Sequence, residues 1–350
     1  MNQETLYVCY SANNQYCMQL GVSLISLLEN NKDIKNIKVF VLSNDMSEAN
    51  RDTIYSITEK YGRNVEFVST KNELLCLQGT ALDRQSTDGG SVYSKTLGLE
   101  AYARFFIASV LPDTIERVLY LDCDTLVIGS LAPLLSQRFE GYLAAVVDSW
   151  PQKYNLVIGK NINDKYYNAG VQLIDLTKWR EDNILEQYMD HIHLMNKPYR
   201  LFDQDIMNVV LGENISSLDL RYNMMYIARK FSSEEIMKIA GKNEDTFYQI
   251  AEIEAAKKYP VIIHYAGDPL GKPWRCYKVD TYTKLWKSYF DKSPWQKIGL
   301  KKSQGIHGLI GILKWVKITL ERIKHACISD TFLARRIEMY MNTEVAREER

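Results

Sequence analysis

The chain has 350 residues, of which 46% are apolar and 25% charged. That length can bury a sizeable core in one large domain or two ordinary ones, and the composition is not that of a disordered or fibrous chain. Forty-three Lys plus Arg balance forty-three Asp plus Glu, which excludes a nucleic-acid binder that works through overall positive charge.

Strand-like and helix-like stretches alternate from the start. Leu6–Tyr10 reads as a short buried strand, broken by the polar turn Ser11–Gln15. Apolar positions at Leu20, Leu24, Leu27 and Leu28 mark a helix that ends at Asn30–Asn31. Lys38–Leu42 is a second strand. Ser43–Asp45 offers caps for a helix over 47–61, and Val65–Val68 is a third strand. Such a βαβαβ series predicts a parallel sheet with helices on its faces and ligands at the carboxyl ends of its strands. Residues 79–95 are polar, contain Gly89 and Gly90, and read as a loop. A helix is expected over Thr96–Ser109, before Pro112. Val118–Leu121 is an apolar strand that runs into Asp122-Cys123-Asp124. No repeat or low-complexity segment is present. The composition shifts only near residue 280, which divides the chain into an α/β domain over 1–280 and a helical, basic region over 281–350.

Two nucleotide motifs are missing. No GxGxxG opens the first strand–helix turn, and Gly267–Lys272 lacks the spacing and the Ser/Thr of a Walker loop. The six cysteines, at 9, 17, 76, 123, 276 and 327, form no CxxC pair and have no accompanying His cluster. They predict a reducing compartment rather than a disulfide framework or a zinc site. No signal peptide is read at the start, and no apolar run reaches the roughly 18 residues of a membrane span. A cytoplasmic protein, soluble or peripheral to the membrane, is expected.

Two aspartates two residues apart at the mouth of a strand can project to the same side. Close carboxylates repel unless a cation sits between them, and hard oxygen ligands suit Mg²⁺ or Mn²⁺. The spacing alone is common, since Asp203 and Asp205 repeat it; the position after a buried strand sets Asp122 and Asp124 apart. His264 ends another strand-like run, Pro260–Ile263, and is followed by Gly267, Gly271 and Lys272. Those residues allow close backbone approach and supply phosphate-binding charge. The bland readings are a solvated acidic pair capping a turn and a histidine buried for structural reasons.

Several blocks together resemble glycosyltransferase family 8, the retaining, metal-dependent group that includes bacterial lipopolysaccharide galactosyl- and glucosyltransferases. The blocks are Tyr10–Tyr16 leading into Ser23–Asn30, Ala101–Arg104 with Val118–Asp124, Tyr167–Gly170 with Leu173–Leu176 and Trp179, Phe202–Asp205, and His264–Gly267 through Lys272–Trp274. They run from about Leu6 to about Tyr277 in the family's order. The resemblance implies a GT-A fold, an α/β architecture with a Rossmann-like mixed sheet flanked by helices. It also implies Mn²⁺ or Mg²⁺ on Asp122, Asp124 and His264. Tyr10, Ser11, Asn13 and Gln15 would line the nucleoside pocket, with Cys123 inside the metal-binding motif. Gly267 and Lys272 would contact the diphosphate. Arg104, Asn168, Asp203 and Gln204 would surround the donor sugar, and Asp148 would lie near the acceptor. Asn13 stands where the family usually has Asp, and Gln15 where Asn is more common.

The function so implied is transfer of a hexose from a nucleotide-sugar donor, UDP-glucose or UDP-galactose, to a glycan or glycolipid acceptor in cell-surface polysaccharide or lipopolysaccharide synthesis. Two alternatives are a haloacid-dehalogenase-type phosphohydrolase, which also carries Asp-x-Asp after an apolar strand, and a non-catalytic sugar-nucleotide-binding protein. The tail adds a second expectation. Ile306, Leu309, Ile310, Leu313, Val316, Leu320 and Ile323 share one helical face. Seven Lys/Arg and one acidic residue lie between 297 and 324, a net charge of +6 (seven minus one). With Trp315, this predicts a basic amphipathic helix on an anionic membrane surface, the other reading being a helix packed on protein.

Overall fold

The computed structural model describes residues 5–83, 98–196, 198–266, 272–274 and 280–300. Strands β1 (Thr5–Ser11), β2 (Asn36–Leu42) and β3 (Asn64–Val68) form where the apolar runs predict them, and they pair in parallel. Helices α1 (Cys17–Glu29) and α2 (Glu48–Lys60) make the crossovers. Ser47 caps α2 by accepting the Asn50 N–H. β4 (Arg117–Leu121) joins β1, also in parallel.

Beyond β4 the sheet becomes mixed. β7 (Tyr167–Asp175) runs antiparallel to β4, β6 (Leu143–Val147) antiparallel to β7, and the short β8 (Ile215–Ser217) parallel to β6. The order is β3-β2-β1-β4-β7-β6-β8. This arithmetic of directions places the candidate site residues. β6 points the same way as β1 and β4, so Ser11, Asp122 and Asp148 all emerge at one edge. The start of antiparallel β7, with Asn168, lies at that edge too.

A separate antiparallel ribbon pairs β5 (Thr125–Val127) with β9 (Ile262–His264), setting Thr125 opposite His264. Helix α1 clamps this ribbon through buried hydroxyls, and Asn31, just past the helix, holds the chain that follows β5. Ser26 Oγ accepts the Val127 N–H at 2.9 Å, Ser23 Oγ meets Thr125 Oγ1 at 3.3 Å, and Asn31 Oδ1 accepts the Leu131 N–H at 2.6 Å. Ser23 and Ser26, inside an otherwise apolar helix, are explained by these partners: buried polar groups are tolerated where bonded.

The stretch expected as a helix over Thr96–Ser109 is instead, within the described residues, a 3₁₀ helix over Gly98–Phe106 followed by one α-turn, Ile107–Val110. With three residues per turn, Ala101 and Arg104 fall on one face, and both line the cleft described below. Helix α3 (Phe202–Leu211) starts from a strained backbone, Phe202 having φ of 51°. The fully buried Asp205 anchors this start. It accepts from Tyr154 OH (2.7 Å), Tyr166 OH (2.5 Å) and the Leu201 N–H (2.8 Å). Hydrogen bonds to a carboxylate contribute about 1.5–3 kcal/mol each, which outweighs a left-handed residue at about 1–2 kcal/mol. Asp205 thus serves the fold, while Asp203 and Gln204 face the cleft.

The packing continues past residue 280. Helix α4 (Thr281–Phe290) buries Trp286, Tyr289 and Phe290 in the main core, and Tyr289 OH accepts from Asn30 Nδ2 at 2.8 Å. Gly21 leaves room for Trp295: a Cβ there would stand 2.3 Å from its ring. Ile298, at the near edge of the basic stretch, is exposed. The rest of the expected amphipathic helix, like most of the loop expected over 79–95, lies outside the described residues. Among the described residues no helix is long and apolar enough to cross a membrane.

Candidate active site

The strand ends at this edge line a cleft of about 490 Å³, a size suited to a small-molecule ligand. β4 delivers Asp122, whose N–H is tied to the Gly170 carbonyl at 2.8 Å. The chain turns tightly, Thr125 returning its N–H (3.1 Å) and hydroxyl (2.7 Å) to the Asp122 carbonyl, and presents Asp124, just before β5, beside His264. His264 Nε2 is 3.1 Å from Asp124 Oδ1 and 3.7 Å from Asp122 Oδ2. One ligand atom from each of the three residues falls within 4.8 Å of the others. Two carboxylate oxygens and an imidazole form a donor set that fits Mn²⁺ or Mg²⁺. The backbone lets the His264 and Asp122 side chains come together because it carries no Cβ beneath them. Gly170 lies beneath the cluster, and a Cβ there would stand 2.2 Å from His264 Cε1 and 2.8 Å from Asp122 Oδ2.

Cations hold this acidic corner together. Arg104, buried, donates to Asp122 Oδ1 (2.9 Å) and the Ala169 carbonyl (2.6 Å), and its guanidinium lies 4.3 Å over the Tyr120 ring. Its Nε is 3.0 Å from Asp203 Oδ2, an ion pair without hydrogen-bond alignment. Burial disfavours its charge, but Asp203, Tyr120 and Asp122 outweigh that and hold it protonated. Lys272 places its ammonium on Asp124 Oδ2 and donates to the Tyr265 carbonyl at 2.9 Å. Burial would push the Asp124 carboxyl up, yet Lys272 and His264 hold it below the carboxylate range. Asp203 goes the other way: burial raises it to about 6, against Arg104, with Asp122 adding repulsion.

Farther along the cleft, Asn168, Gln204 and Asp148 form a saturated hydrogen-bond cluster. Asn168 Nδ2 donates to Asp148 Oδ2 and to Gln204 Oε1, both at 2.9 Å. Gln204 Oε1 also accepts the Ala169 N–H at 3.1 Å, and Gln204 Nε2 donates to Asp148 Oδ2 and to Tyr166 OH at 3.1 Å each. Asp148 Oδ1 accepts the Trp150 N–H at 3.0 Å. These side chains are oriented before any ligand arrives.

The residues expected at the nucleoside end divide. Ser11, Asn13 and Cys123 line the cleft. Asn13 Oδ1 caps the tight turn Asn14–Tyr16 by accepting the Gln15 and Tyr16 N–H groups, and Cys123 Sγ donates to the Ser11 carbonyl at 3.2 Å. Tyr10 and Gln15 do not line it. Tyr10 lies on the helix-facing side of β1 with its hydroxyl 3.1 Å from Ser23 Oγ, and the turn rotates Gln15 to the exposed side, bringing Tyr16 into the wall. Gly267 lies outside the described residues. Tyr166 and Asn223 carry no motif yet touch Gln204 and His264, and Tyr120, inside the Val118–Asp124 block, donates to Asp122.

A mixed sheet that gathers an Asp-x-Asp pair, a histidine and a carboxamide cluster at its strand ends is the layout of a GT-A glycosyltransferase. The chain belongs to glycosyl transferase family 8, whose family model matches residues 7–277. It is 26% identical over 302 residues to general stress protein A of Bacillus subtilis (strain 168), covering 85% of this chain and 96% of that protein. To lipopolysaccharide 1,2-glucosyltransferase of Escherichia coli (strain K12) it is 26% identical over 300 residues, 84% of this chain and 80% of the relative. The galactosyltransferase LgtC, solved in complex with donor and acceptor sugar analogs, shares the fold with a TM-score of 0.62 and 23% identity, over 83% of this chain and 99% of that one. Family membership makes the protein a glycosyltransferase and sets the phosphohydrolase alternative aside.

The close packing of His264 and Asp122 over Gly170 gives a direct prediction. Gly170→Ala should weaken Mn²⁺ binding at least about tenfold, because the new methyl displaces His264 or Asp122 from the shared position. Calorimetric titration of Mn²⁺ checks it. An unchanged affinity in a folded variant would show that the ion does not sit over Gly170.

Proposed function

We propose that the protein is a retaining, metal-dependent hexosyltransferase that takes UDP-glucose or UDP-galactose as donor and a glycan or glycolipid as acceptor, in cell-surface polysaccharide or lipopolysaccharide synthesis. One observation carries this reading: the Asp122–Asp124–His264 cluster and the Asn168–Gln204–Asp148 cluster share one cleft, joined by Arg104, which touches Asp122 and Asp203 at once.

Breaking a sugar–diphosphate bond leaves negative charge on the phosphate and positive charge on the sugar ring. A divalent cation on Asp122, Asp124 and His264 would supply Lewis-acid stabilisation of the departing diphosphate. Lys272, already beside Asp124, adds a second positive charge at the same end. Asp203, Gln204 and Asn168 would then line the sugar, where carboxylate and amide oxygens favour an oxocarbenium-like ring. Arg104 holds Asp203 in place through its Nε while donating to Asp122. Ser11, Asn13 and Tyr16 would border the nucleoside, and Asp148 the acceptor. A pure binding protein has no use for this complete set. The sign of the tail's charge supports a further part of the proposal, that residues 297–324 rest on an anionic membrane surface where a lipid-linked acceptor is presented.

Four outcomes test the proposal. Asp124→Asn should lower turnover by orders of magnitude, and proton NMR of the wild-type product should show the donor's anomeric configuration retained; an inverted product, or full activity of the variant in excess EDTA, refutes it. If Asp203 acts as a carboxylate, its working form exists above its folded pKa and is lost as pH falls through about 6. The kcat/KM profile should therefore drop on the acid side near pH 6, and Asp203→Asn should be slow without that limb. The stability sign is opposite, since a raised carboxyl pKa favours the fold at low pH and loses that contribution as pH rises through 6. An acid limb that persists in Asp203→Asn assigns it to another group. Finally, the full-length protein should co-sediment with anionic vesicles at low salt and less at high salt. No binding at either salt rejects the membrane part.

A further inference from the structure

Asn223 carries no motif, yet it is fully buried between two site residues. The segment bearing it lies along β9: the Met224 N–H donates to the Ile262 carbonyl at 2.8 Å and the His264 N–H to the Met224 carbonyl at 3.2 Å. Its side chain spans 2.9 Å from Oδ1 to His264 Nδ1 and 2.8 Å from Nδ2 to Asn168 Oδ1.

The direction of every bond in this relay follows from one group that has no choice. The Gly170 N–H can only donate, and it meets Asn168 Oδ1 at 2.9 Å. The Asn168 amide oxygen therefore lies on the side shared with Asn223, and its NH₂ lies toward Asp148 and Gln204, where acceptors wait. Asn223 must offer its own NH₂ to that oxygen, which turns its carbonyl toward His264. A carbonyl can only accept, so His264 Nδ1 donates to it, which leaves Nε2 as the nitrogen open to a cation that takes the place of its contact with Asp124. Nε2 is the atom facing Asp124 and Asp122.

We propose that Asn223 is a positioning residue: it fixes His264 in the tautomer whose Nε2 can ligate the cation, and with the same amide it ties that ligand to Asn168 at the sugar end of the cleft. The inference rests on the metal reading of Asp122, Asp124 and His264. A partner on the far nitrogen of a ligating histidine orients the ring and raises its basicity, and its loss typically costs about 10–100-fold in metal affinity. Asn223 differs from a simple carbonyl partner in having a second hand. Displacing it disturbs Asn168, and through Asn168 the orientation of Gln204.

The test titrates Mn²⁺ alone, read by the electron paramagnetic resonance of the free ion, into wild type, Asn223→Leu and Asn223→Asp. Asn223→Leu should bind Mn²⁺ about 10–100-fold more weakly. Asn223→Asp keeps an oxygen toward Nδ1 and should bind Mn²⁺ close to wild type, while its kcat falls because Asn168 loses a donor. A folded Asn223→Leu that binds as wild type does overturns the role of Asn223 and leaves the metal reading standing; failure of wild type to bind Mn²⁺ overturns both. If Asn223→Leu does not fold, the wild-type tautomer decides. Nitrogen-15 NMR of histidine-labelled enzyme with saturating Mg²⁺, the His264 signal assigned by its loss in His264→Gln, should show a protonated Nδ1. An unprotonated Nδ1 refutes the proposal.

Discussion

Crowding of like charge at one corner of the sheet governs this structure. Asp122, Asp124 and Asp203 line one cleft, with oxygens of the first two within 4.8 Å of each other, and two carboxylates about 5 Å apart repel by about 3 kcal/mol at an effective dielectric of 20. The fold answers with Arg104 between Asp122 and Asp203, Lys272 on Asp124, and His264 facing both members of the pair. The carboxylates respond unequally. Asp124, with Lys272 and His264 both beside it, is held below its ordinary range, whereas Asp203, as deeply buried but sharing Arg104 with Asp122, is pushed up to about 6. A corner so balanced suits a bound cation and a diphosphate, whose opposite charges enter together.

Strand direction delivers those groups to one place. The parallel half of the sheet brings the ends of β1 and β4 to the edge, and the switch to antiparallel pairing at β7 adds the end of β6 and the start of β7. The β5–β9 ribbon, held by hydroxyls of α1, pairs Thr125 with His264 and so sets Asp124 beside His264 although 140 residues separate them in the chain. Helix α3, anchored by Asp205, supplies Asp203 and Gln204 from the far side.

Much of this is legible in the sequence because it is local. The strands are apolar runs ended by polar residues, and Asp122, Asp124, Asp148 and His264 stand out by following such runs. What the sequence hides depends on direction and rotation. The antiparallel turn of β7 leaves no local mark. Tyr10 and Ser11 are neighbours in the chain, but alternation along β1 sends one to α1 and the other to the cleft. The 3₁₀ path through Arg104 escapes a pattern read at 3.6 residues per turn. Asn223 lies in an irregular segment whose importance comes only from the histidine and the asparagine packed against it.

The central claim is that cation and nucleotide sugar occupy this cleft as one unit. Calorimetric titration of UDP-glucose and UDP-galactose into the wild-type protein, with saturating Mn²⁺ and again after EDTA, tests it most directly. The account predicts saturable binding of at least one donor with Mn²⁺ and loss of most of that affinity without it. Donor affinity that is equal with and without the metal would contradict the account.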